Sequence, residues 1–105
     1  MSEGRTQFFL KATVYDKRGR VLSVGENSYW KTHPHQVEMA RKAGRPGAIY
    51  LHAEIQALVR IKDKNKAHRI YIERYDKQGN PRPAVPCEIC TMAIKEAGIK
   101  VVEHT

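Results

Sequence analysis

Acidic side chains are scarce in this sequence: Asp and Glu number 11 against 19 Lys and Arg, a formal net charge of +8. A surplus of that size faces outward, where it favours phosphate-bearing partners from nucleotides to nucleic acid or serves solubility alone. Nowhere do Lys and Arg form a long run interleaved with aromatics, so the stacking groove of a dedicated single-strand binder is not signalled. Cysteine is scarcer still. The only two, Cys87 and Cys90, sit in one Cys-x-x-Cys, which excludes a disulfide framework and leaves both thiols to a metal in a reducing compartment. No apolar run approaches the roughly 20 residues of a membrane span, and residues 1–6 lack the apolar segment of a secretory leader. A soluble, intracellular, cytoplasmic protein with no membrane partner is expected. Repeats, linkers and low-complexity segments are also missing. At 105 residues the chain is expected to form one domain, 1–105, whose core and site share the same elements.

What is there alternates between strand and helix. Residues 7–15 are aromatic and β-branched, residues 16–20 turn the chain back, and residues 21–24 supply a second strand, so an antiparallel hairpin opens the fold. Its exit contains Asn27, which after Gly25 and Glu26 can satisfy a turn. Tyr29 and Trp30 suit stacking on a base as well as ordinary packing. Thr32-His33-Pro34 starts a helix that Gly44 can stop, with Val37, Ala40 and Ala43 as a thin apolar stripe. That helix can wall a pocket, which makes His33 a candidate on the substrate side as well as a helix cap. After the turn at residues 45–47, residues 48–51 lead into His52-Ala53-Glu54 and a helix made apolar by Ile55, Leu58, Val59 and Ile61. Residues 62–68 then place cations at the negative end of that helix, a local role set against a phosphate tether. Residues 69–75 alternate as a third strand, residues 76–83 form a polar loop expected beside the pocket as a mobile gate, and residues 99–103 make a fourth strand. Between the last two strands, Ile89, Ala93, Ile94 and Ala97 recur at helical spacing up to Gly98.

The chemistry concentrates in Pro86-Cys87-Glu88-Ile89-Cys90 and His52-Ala53-Glu54. Cys-x-x-Cys alone suits a redox pair, a structural zinc knuckle or coincidence, and His-x-Glu alone carries nothing. Together they supply three zinc ligands, His52, Cys87 and Cys90, and an unligated carboxylate, Glu54. Three protein ligands leave an open tetrahedral position for water, whose pKa zinc lowers toward neutrality and whose proton a nearby carboxylate can carry. Two thiolates balance one Zn2+, so the cationic surplus is untouched. Positions i and i+2 of a helix do not share a face. His52 and Glu54 can therefore reach one site only if the motif opens its helix.

This His-x-Glu…Pro-Cys-x-x-Cys pattern resembles the zinc-dependent cytidine and deoxycytidylate deaminase superfamily, over roughly residues 48–103. The resemblance implies a three-layer α/β fold with a mixed central sheet of about four strands, the hairpin first and parallel strands after it, flanked by helices. It implies one Zn2+ per chain and Glu54 as proton shuttle. It also implies that Asn27 meets the sugar, that the Ala53 amide holds the base carbonyl, and that the carbonyls just before Cys87, at Pro86, receive the exocyclic amine. Tyr50, beside the motif, joins this substrate-facing set. Cytosine in a free nucleoside or nucleotide is the expected substrate. Cytosine in single-stranded DNA or RNA, adenine, and a catalytically silent zinc module that binds nucleic acid are the alternatives. The family's fuller pattern has a fifth strand and helix beyond residue 103, so the surface of a homo-oligomer stays open.

Overall fold

The computed structural model describes residues 9–105. Gln7 and Phe8, expected at the start of the first strand, lie outside them. Strands β1 (Phe9–Tyr15) and β2 (Val21–Glu26) form the expected antiparallel hairpin, with Lys11 opposite Glu26 and Thr13 opposite Val24. Asp16 ties its turn: Oδ1 accepts the Arg18 and Arg20 amides and Oδ2 accepts Arg20 Nε, each at 2.9 Å. A short side-chain acceptor that serves turn amides is the reason Asp suits this position.

Helix α1 (Pro34–Lys42) starts behind His33, whose Nδ1 accepts the His35 amide at 3.0 Å. It stops where Gly44 takes a φ of 75°, a conformation that glycine adopts without a Cβ penalty. Its buried face is Gln36, Met39 and Ala40, whereas Val37, expected in the apolar stripe, is 42% exposed. Helix α2 (Ala53–Arg60) and a single 3-10 turn (Lys64–Lys66) lead to β3 (Arg69–Tyr75). A two-residue strand β4 (Pro81–Arg82), helix α3 (Glu88–Glu96) and strand β5 (Val101–His104) complete the order.

The sheet has five strands in the order β2-β1-β3-β4, with β5 also on β3. β3 pairs antiparallel with β1 along its whole length, Phe9 opposite Tyr75 and Tyr15 opposite Arg69. On its other side it pairs parallel with β5 at Arg69–Ile72 and antiparallel with β4 at Arg74 and Tyr75. The mixed α/β architecture is as expected. Residues 76–83 differ from expectation, because they close a tight hairpin onto β3 instead of forming an open loop. Asp76 holds that hairpin through the Gln78 and Asn80 amides at 2.9 Å and Arg82 Nε at 3.1 Å.

Helix α2 lies on β1 and β2, and all three helices touch one another. The core between them takes Ala12, Val14, Ile70 and Ile72 from the strands and Met39, Ile55, Ile89 and Cys90 from the helices, all fully buried. Each of the large aliphatic side chains contributes about 1.5–3 kcal/mol on burial. One cysteine of the Cys-x-x-Cys is thus core as well as candidate ligand. Among the described residues no helix is long and apolar enough to cross a membrane.

Candidate active site

Two helix starts make the site. His52 is the N-cap of α2, so Ala53 and Glu54 occupy its first turn, and Cys87 is the N-cap of α3 with Cys90 in its first turn. Residues in those positions reach the space in front of a helix, which resolves the geometric difficulty of a His-x-Glu pair. His52 Nδ1 lies 3.2 Å from Cys90 Sγ and 3.5 Å from Cys87 Sγ. All three ligand atoms fall within 4.8 Å of one another. Bonds of about 2.05 Å to nitrogen and 2.3 Å to sulfur at tetrahedral angles require separations of roughly 3.6 Å (N to S) and 3.8 Å (S to S). The donor set and its spacing therefore fit one zinc ion.

The electrostatics suit a cation. The Cys87 thiol is pulled down to about 3, first by a hydrogen bond from Cys90 and then by the His52 ring. Cys90 is pushed up by its bond to Cys87 and by burial. The shifts oppose each other because the sulfurs are hydrogen-bonded; a divalent ion held by His52, Cys87 and Cys90 would supply the charge that lets both thiols ionise. His52 is raised, mainly through its bond to Cys87. Glu54 is 4% exposed, and burial raises its pKa above the ordinary carboxylate range.

A family comparison bears on this arrangement directly. The family model of the cytidine and deoxycytidylate deaminase zinc-binding region matches residues 2–104. The chain belongs to that family. Curated proteins gave no match to it. The deaminase fold and the one-zinc site are those the sequence motif implies.

A cavity of about 310 Å3 opens in front of this deaminase's zinc group, walled by Asn27, Tyr29, Tyr50, His52, Ala53, Glu54, Val85 and Cys87 among others. Asn27 stands on that wall, and its Oδ1 accepts the Leu10 amide at 3.0 Å, which pins the loop after β2 to the start of β1. Tyr50 stands at the rim, 51% exposed. Two candidates are placed elsewhere. His33 caps α1 and lines a separate cavity with Leu58, Ile61 and Glu96, because α1 packs against α3 rather than over the zinc group. Pro86 faces a groove beside Thr91, whose hydroxyl donates to the Pro86 carbonyl at 3.4 Å, and Val85 takes the cavity wall instead. Residues 76–83 contribute nothing to the lining, so the expected gate is not there.

Three supporting residues escaped the sequence reading. Gln36 is fully buried, donates Nε2 to the Ala48 carbonyl at 2.9 Å and accepts the His52 amide on Oε1 at 3.2 Å. Gly25 lies under the first turn of α2, where a Cβ would fall onto the Ala53 carbonyl and the Ala57 amide. Ser28 donates its amide to Leu51 at 2.9 Å and turns its hydroxyl on the Trp30 and Lys31 amides at 3.2 and 2.8 Å. A buried glutamine at helical spacing with Met39 and Ala40 was the one available signal.

Proposed function

We propose that the chain works as a single deaminase domain that hydrolyses cytosine to uracil in a free cytidine or deoxycytidine nucleoside or nucleotide, releasing ammonia. The observation that carries this reading is Glu54, in contact with Cys90 and buried on the wall of one small cavity that His52 and Cys87 also line. Its volume of about 310 Å3 falls at the low end of small-molecule sites. His52, Cys87 and Cys90 would hold zinc, which supplies a Lewis acid that brings a water's pKa toward neutrality. Glu54 takes the proton of the attacking water, gives it to a ring nitrogen, and then helps protonate the departing amine. Its burial on the cavity wall keeps the carboxylate out of bulk water and facing the space where the base would sit. Ala53 opens α2, so its amide has no carbonyl one turn earlier and can meet the base carbonyl. The backbone carbonyls just before Cys87, at Val85 and Pro86, would receive the exocyclic amine, and Asn27 and Tyr50 would meet the sugar; Val85, Asn27 and Tyr50 lining the cavity supports this reading.

Deamination of cytosine within a single strand is the second reading. Tyr29 at 40% and Tyr50 at 51% exposure line the cavity, Trp30, next to Tyr29 in the sequence, is 75% exposed, and exposed aromatic faces near a cavity suit neighbouring bases. The two separate when protein is incubated with cytidine, deoxycytidylate and a cytosine-containing strand and uracil is followed. The free-nucleotide reading expects product from the first two and fails if only the strand reacts. Glu54→Gln is expected to keep stoichiometric zinc and its thermal midpoint while losing turnover about 10²- to 10⁴-fold. Wild-type turnover in that variant would reject Glu54 as the shuttle.

A further inference from the structure

A second cavity, of about 540 Å3, lies at the other end of the sheet, where β1 has ended, β3 is about to begin and α3 has stopped. The length of β1, roughly 20 Å at about 3.4 Å per residue, separates it from the zinc cavity, which Leu10 lines near the start of the same strand. Lys17, Arg18 and Arg20 from the hairpin turn, Lys66 from the 3-10 turn, and His68 and Lys100 line it. Among the described residues one carboxylate faces it. That is Asp16, whose oxygens are held by Arg20 and the turn amides.

Some cations elsewhere on the molecule have acids, Lys42 with Glu38 and Glu96, Arg69 with Glu103 and Arg82 with Asp76, while others, Lys77 and Lys95 among them, stand singly with no ion pair among the described residues; the cavity is set apart by gathering several at one place. Lys17, Arg18, Lys66 and Lys100 are exposed and form no ion pair among the described residues. Service to the end of α2 does not account for them either. Lys64 performs that role by donating to the Leu58 carbonyl at 3.1 Å, while Lys66 is turned into the cavity.

We propose that this basic cavity is a second binding site, one that holds the phosphate backbone of a single-stranded nucleic acid. The cations come from three separate segments and stand on exposed stems, a spread that suits successive phosphates of a strand. A single small anion is better met by convergent, buried donors. Among the described residues no Phe, Tyr or Trp side chain lines the cavity, so charge on the backbone phosphates, which carry no sequence information, is what it meets. The site goes beyond the deaminase reading and does not depend on it.

Binding of a labelled adenine-only DNA strand to the full zinc-loaded chain, measured by anisotropy across a salt series, tests the proposal without engaging a cytosine pocket. Lys66→Gln with Lys100→Gln is expected to flatten the slope of log affinity against log salt by roughly 1.4, about 0.7 for each lost contact. The loss of affinity between about 50 and 200 mM salt then shrinks about sevenfold. The same neutralisation at Lys77 and Lys95, both exposed and outside this cavity, is expected to leave the slope unchanged. Equal slopes for the two pairs would overturn the proposal. So would displacement of the strand by micromolar tripolyphosphate, which would identify a small-anion pocket. Cytidine turnover is expected to be the same in wild type and the Lys66/Lys100 variant, and a selective fall in it would overturn the independence of the two sites. A wild-type protein inert on cytidine would reject the substrate reading and leave this measurement intact.

Discussion

Gln36 is the residue on which the ligand histidine leans. Both ends of its amide are bound to backbone groups, Ala48 on one side and His52 on the other, and the side chain has no exposure to water. Leucine fills similar space but leaves a carbonyl and an amide without their partner, at about 1–3 kcal/mol for each buried group. Gln36→Leu is therefore expected to lower the denaturation midpoint and, by loosening the backbone that aims the His52 ring, to weaken zinc roughly tenfold. Competition against a chromophoric chelator reads the second effect separately from the first. A variant that loses stability while holding zinc at the wild-type affinity would show that His52 is aimed without Gln36.

The seating of α2 on β2 decides where the motif points. Ser23 Oγ donates to the Ala57 carbonyl at 2.7 Å, Gln56 Oε1 accepts the Glu26 amide at 2.8 Å, and Gly25 leaves the gap that lets the two backbones meet. Gly25→Ala forces that gap open by backbone movement, which is expected to cost about 3 kcal/mol or more. It is also expected to reduce zinc affinity, because His52 and Glu54 ride on the displaced turn. A midpoint within experimental error of wild type would mean that α2 floats over β2 rather than resting on it. The hairpin at residues 76–83 offers a test by pH. The Asn80 amide first, and then Arg82, hold the Asp76 carboxyl below its ordinary value. A depressed folded-state pKa contributes stability above the unfolded value, about 3.9, and loses it as pH falls toward the folded value. Wild type is thus expected to exceed Asp76→Asn in urea midpoint near neutral pH, with the gap closing below about pH 4; a gap independent of pH would sever it from the carboxylate charge. These elements also mark what a sequence can disclose. His52, Glu54, Cys87 and Cys90 were legible because one helical turn fixes how residues two or three apart can share a site. Gly25 and Gln36 were not, since their places depend on segments that only the folded chain brings together. The absent gate has the same origin, as a run of turn residues reads identically whether it hangs free or closes on Asp76.

Charge acts on the whole molecule. The total of +8 and a pI near 9.7 could be counted from the sequence, but not the meeting of Lys17, Arg18, Arg20, Lys66 and Lys100 around one cavity at the far end of β1. A field of that sign still extends over the rest of the surface and concentrates anions near any mouth within about a Debye length, 10 Å at 0.1 M salt. Deoxycytidylate carries a phosphate that this field attracts, whereas cytidine carries none. The ratio of their kcat/KM values is accordingly expected to fall roughly tenfold, the low end of steering effects, as salt rises from tens of millimolar to half molar. The cytidine value alone should hardly move, because neither its encounter nor its proton transfers through the buried Glu54 are exposed to the ions of the medium. Parallel decline of both substrates would point to salt acting on the fold or on zinc retention. A flat ratio would confine the cationic surplus to the distant cavity and remove charge from the account of how substrate reaches Glu54.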